Sequence, residues 1–143
     1  MQAHTDERAG DTFVLVFASG EDPTRELLDF ARREGIGAAE FRGIGAFARA
    51  TIGYFDVASK EYRTIAVETQ TEVLSLIGNL SVFEEAPRLH AHAVLGFPDG
   101  SARGGHLLEA RVHPTLELFV RALPFPLRRE RDEASGLPLI TPA

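Results

Sequence analysis

Residues 89–112 read LHAHAVLGFPDGSARGGHLLEARV, two β-rich runs on either side of Pro98-Asp99-Gly100. Proline presets the first turn angle, aspartate suits the second position, and glycine accepts the left-handed closing conformation, so the tripeptide predicts a three-residue hairpin loop. A loop joining Phe97 to Ser101 fixes the register, and His92 then faces His106 directly across the ladder. Opposed residues in such a pair have Cβ atoms about 4.5–5.5 Å apart. His90 lies two residues from His92 and therefore on the same face of the strand. Ala91, Ala93 and Leu95 take the other face, toward the core. Three imidazoles converge on one point, and a one-residue slip in register would separate them.

Neutral imidazole is the usual protein ligand for zinc and related divalent ions, and three protein ligands leave a fourth position open. His90, His92 and His106 are therefore candidate metal ligands, with zinc or another divalent ion as the expected cofactor. The chain has no cysteine, so any metal rests on nitrogen and oxygen donors, and neither a disulfide nor a thiol nucleophile is available. The nucleophile-elbow pattern GxSxG is also absent.

Outward from the hairpin, the sequence reads as strands with one main helix. Asp22 is a helix N-cap with Pro23 at the first helical position. Leu27, Leu28, Phe30 and Ala31 form its buried face, Arg32 and Arg33 sit in its last turn, and Gly35 stops it. Residues 12–17 form a first strand, and further strands are expected at about 38–43, 48–56, 61–67, 72–78, 89–97, 102–111 and 115–122. Strands at turn-length spacing without helices between them predict an antiparallel sheet, and hence an α+β class. Residues 1–11 read as a flexible leader and residues 12–143 as a single domain. Near the C-terminus, residues 127–133 alternate in charge and read as a solvated face, while the apolar residues 136–140 read as an extended tail packed on its own domain or on a neighbour.

A chain of 143 residues with 44% hydrophobic content suits one domain with a real core. No apolar run approaches the ~20 residues of a membrane span, and the start of the chain lacks a signal-peptide core, so a cytoplasmic protein is the expectation. The net charge of −6 repels phosphate backbones on average and weighs against a nucleic-acid partner.

Several runs, in order, resemble one family: Gly43-Ile44-Gly45-Ala46-Phe47, Tyr54-Phe55-Asp56, Glu72-Val73-Leu74-Ser75-Leu76-Ile77-Gly78-Asn79, His90-Ala91-His92 and Gly104-Gly105-His106-Leu107. They are similar to the PPC domain, the plants-and-prokaryotes conserved domain also called DUF296, across nearly the whole chain. The resemblance implies an antiparallel sheet with one main helix, assembled as a homotrimer. It also implies metal binding through the histidines that match His90, His92 and His106. Plant members carry AT-hooks with an Arg-Gly-Arg-Pro core, which this chain lacks. They also place an arginine and a phenylalanine before the glutamate of the strand motif, where this chain has Gln70-Thr71-Glu72. Both departures weigh against direct DNA binding.

Three residues are candidates for ligand or supporting roles. Glu72 could accept a ring N–H from a ligand histidine, Asn79 could orient a metal-bound ligand, and Arg42 could hold an anion. Three functional readings follow. The first is a metal-binding domain with a small-ligand pocket. The second is a DNA-binding or transcription-associated module with a structural metal. The third is an enzyme that uses a metal-bound water. No catalytic residue is assigned.

Overall fold

The computed structural model describes residues 1–4 and 10–141. Its elements are β1 (Gln2–His4), β2 (Thr12–Ala18), α1 (Pro23–Glu34), β3 (Ala39–Asp56), β4 (Glu61–Val67), β5 (Thr71–Phe83), β6 (Ala86–Gly96), β7 (Ala102–Ala122), β8 (Arg129–Arg131) and β9 (Pro138–Ile140). Seven strands form one sheet in the order β1-β2-β7-β6-β5-β3-β4, antiparallel at every pairing. β7 also pairs with β3, so the ladder β3-β5-β6-β7 returns to its start and these four strands close on one another. The α+β reading holds: a mostly antiparallel sheet with one helix.

The helix forms as its sequence directs. The Asp22 side chain accepts from the Thr24 and Arg25 N–H groups, which satisfies two of the donors a helix start leaves free. Gly35 ends it in the left-handed conformation at φ 65°. Leu27, Phe30 and Ala31 are buried in the same core as Phe41, Leu76, Ala91, Leu107 and Leu118, so α1 packs its apolar face onto the inner face of the closed strands.

Two expectations about strands change. The runs at 38–43 and 48–56 are one long strand, β3, which bends at register shifts between Gly43 and Gly45 and again further on. The runs at 102–111 and 115–122 are likewise one strand, β7. Each serves two sets of partners, and bulges let a single strand turn between them. Of the stretch expected to be a leader, Gln2–His4 forms β1 on β2, while residues 5–9 lie outside the described residues. Pro138–Ile140 pairs with Arg129–Arg131, so the apolar tail packs on its own chain. Among the described residues, no helix is long and apolar enough to cross a membrane.

Candidate metal centre

The hairpin register is the one the turn chemistry predicts. Phe97 N–H donates to the Ser101 carbonyl at 2.9 Å, Gly100 has φ 81°, and Asp99 accepts from the Ser101 N–H and hydroxyl. β6 then pairs with β7 so that His92 is opposite His106. Ala91, Ala93 and Leu95 are buried on the inner face, which leaves His90 and His92 on the outer one.

The three rings converge: His90, His92 and His106 have ring centroids 5.1–5.3 Å apart pairwise. Each offers a ring nitrogen, and these nitrogens all lie within 4.8 Å of one another. Nε2 of His90 and Nε2 of His92 are 3.1 Å apart. Two nitrogens bound tetrahedrally to one zinc at ~2.05 Å would be about 3.3 Å apart, so the group fits a divalent ion.

Two of the rings are held toward the neutral form that ligation requires, His90 and His106. Burial is the main cause that pushes His106 down to about 4, and His90, His92 and Arg88 add to it. Burial likewise lowers His90, with Arg129, His92 and Arg88 adding. The Tyr62 ring lies 5.2 Å from that of His106 and shields one side.

The remaining candidates separate. Asn79 is opposite His90 and Arg42 is opposite Ile77, which is itself opposite His92. Both line a cleft of about 760 Å³ together with His90 and His92. Glu72 is not among these residues. It pairs with Gly96, four residues beyond His92 along β6, or about 13 Å at the rise of a strand.

One residue of this region escaped the sequence reading. Arg129, within the charge-alternating run taken for a solvated face, is only 8% exposed. Its Nε donates to Ser81 Oγ at 2.6 Å, Nη1 to the Pro138 carbonyl at 2.8 Å and Nη2 to Asn79 Oδ1 at 2.8 Å. All three partners are neutral, so its charge acts on His90 uncompensated by them. The alternating acids around Arg129 hid it, because the partners that bury it are distant in sequence.

Comparison with known proteins agrees with this fold. Residues 4–124 match the Plants and Prokaryotes Conserved (PCC) domain. The chain is similar to a plant- and prokaryote-conserved (PPC) protein from Pyrococcus horikoshii, with 34% identity over 94% of this chain and 93% of that one and a TM-score of 0.87. It is also similar to a metal-containing protein from Archaeoglobus fulgidus, with 36% identity over 93% of this chain and 94% of that one and a TM-score of 0.85. A candidate DNA-binding protein from Bacteroides thetaiotaomicron is 26% identical over 98% of this chain and 96% of its own, with a TM-score of 0.92. No curated protein matches the chain.

Proposed function

The chain belongs to the Plants and Prokaryotes Conserved (PCC, or PPC) domain family, and on that footing we propose that it is a homotrimeric protein that binds a divalent metal, zinc or a similar ion, through His90, His92 and His106 and receives a small ligand in the adjoining cleft. The convergence of three ring nitrogens within 4.8 Å carries this reading. The similarity to a metal-containing protein supports it. Residues 12–143 act as one domain in this proposal. Exposed apolar residues on the outer face outside the cleft, among them Ile44 and Leu74, supply surface for packing against further copies.

A bound ion would supply Lewis acidity at the head of the cleft. The chain's own residues do the rest: the imidazoles of His90, His92 and His106 would hold the ion, and Asn79, fixed by Arg129, lies opposite His90. An enzyme would also need a general base near the ion. Glu72 is far along the strand, and the cleft's carboxylate, Glu40, is paired with Arg121 at 2.7 Å. Ligand capture is therefore the reading favoured here.

Elemental mass spectrometry on untagged wild-type protein and His92→Ala tests the proposal. The expected result is about one metal ion per wild-type chain, as an open three-ligand site implies, and its loss in the variant. Absence of metal from both, even after zinc is added, would overturn it. The second reading, a DNA-binding module, is favoured by the likeness to a candidate DNA-binding protein. It must contend with a net charge of −6, and a salt-dependent mobility shift would expose it.

A further inference from the structure

The floor of the cleft is two rows of side chains that run across the sheet on its outer face. In the first row, consecutive register partners are His92, Ile77, Arg42 and Phe119, and His106 continues the row past the end of the cleft. In the second they are His90, Asn79, Glu40, Arg121 and Thr12. Along the second row the charges answer one another, since Glu40 Oε1 and Arg121 Nη2 are 2.7 Å apart. Along the first row they do not. Among the described residues Arg42 makes no ion pair, although it is exposed in the same cleft. Between it and the histidines lies only Ile77, apolar and 57% exposed.

A guanidinium also stands behind the histidine end of the cleft: Arg129 holds Asn79, the register partner of His90, and all its hydrogen-bond partners are uncharged. A divalent ion held by three neutral imidazoles keeps its full charge, so its open position favours an anionic oxygen. Arg42 presents a planar fork of donors suited to a second carboxylate. The backbones that carry His92 and Arg42 are two strand spacings apart, about 9.5 Å, and the arginine side chain shortens the gap. A short hydrocarbon chain fits over Ile77 between the two ends.

Resting on the metal reading above, we propose that the cleft binds a short-chain dicarboxylate, with one carboxylate at the metal position, its methylenes over Ile77 and the other carboxylate on Arg42. A monocarboxylate of equal length would make only one of the two polar contacts. Arg42 is thus the specificity residue of the site.

The test compares glutarate with valerate, which have the same number of carbons and differ in the second carboxylate. Each is titrated calorimetrically into zinc-loaded wild type and zinc-loaded Arg42→Gln, after metal content has been measured in both proteins. The wild type is expected to prefer glutarate by about tenfold or more, the worth of a charged hydrogen-bonded pair, and Arg42→Gln to lose that preference while keeping its zinc. Equal affinities in the wild type, or a preference that survives in Arg42→Gln, overturn the proposal and leave the metal reading intact. Failure of the wild type to take up zinc overturns both, and the metal analysis reports that before any titration.

Discussion

Leu76 and Ile77 are neighbours in β5 and opposites in environment. Leu76 is 2% exposed, opposite the buried Ala93; Ile77 is 57% exposed, opposite His92. The same strand thus has an inner face that packs and an outer face that holds the candidate chemistry. The inner face sets the register, because a slip would turn Leu76, Ala93 and Leu95 toward solvent. The histidines meet as a consequence of that register, so the site depends on the core without contributing much to it.

This difference is tested first where the effect is largest. Leu76→Ala removes a fully packed side chain and should destabilise the protein by about 2–5 kcal/mol, read as a lowered urea midpoint. Ile77→Ala, one residue along, should cost the isolated fold no more than about 0.5 kcal/mol. Equal losses from the two variants would break the distinction between the faces.

The N-cap of α1 offers an intermediate effect, away from both faces. Burial alone would raise the Asp22 carboxyl, but hydrogen bonds from the Thr24 side chain, the Arg25 N–H and Arg111 prevail and hold it below its ordinary value. Arg111 Nη1 reaches Asp22 Oδ2 at 2.8 Å and ties the helix start to β7. Asp22→Ala should cost about 1 kcal/mol near neutral pH. A carboxyl whose folded value is depressed stabilises the protein above its unfolded value and loses that contribution as pH falls through the folded one. The gap between wild type and Asp22→Ala should therefore close only below the ordinary carboxyl value of 3.8. A gap constant down to strong acid would show that the carboxylate is not what caps the helix.

The helix and the hairpin were legible because each is written in local chemistry. Asp22-Pro23 and Gly35 bracket α1, and Pro98-Asp99-Gly100 sets a loop whose register carries His92 to His106. The long strands were less legible. Bulges in β3 and β7 interrupt the alternation of apolar and polar residues, so each reads as two strands. The placing of Glu72 rests on another such shift, between Val73 and Ser75. Arg129 was hidden for a different reason. Its partners Ser81 and Asn79 lie 48 and 50 residues away, and a sequence window around it shows only alternating charge. Local signals thus revealed the centre of the site, while the support from the chain's end depends on tertiary pairing that no short pattern encodes.

The smallest expected effect on the fold is the sharpest statement of the comparison. His92 is exposed on the outer face, and its backbone pairing is set by Ala91 and Ala93 beside it. His92→Ala should therefore change the stability of metal-free protein by no more than about 0.5 kcal/mol. Added zinc should separate the two proteins, since an ion that binds only the folded state stabilises it by about 2.7 kcal/mol at a hundred times its Kd. Thermal unfolding with and without zinc reads both quantities. A zinc-dependent rise in Tm in wild type alone would place the metal on this face and the stability of the apo-fold on the other. A large loss in metal-free His92→Ala would mean that the histidines are packing residues after all, and the two faces would no longer have separate work.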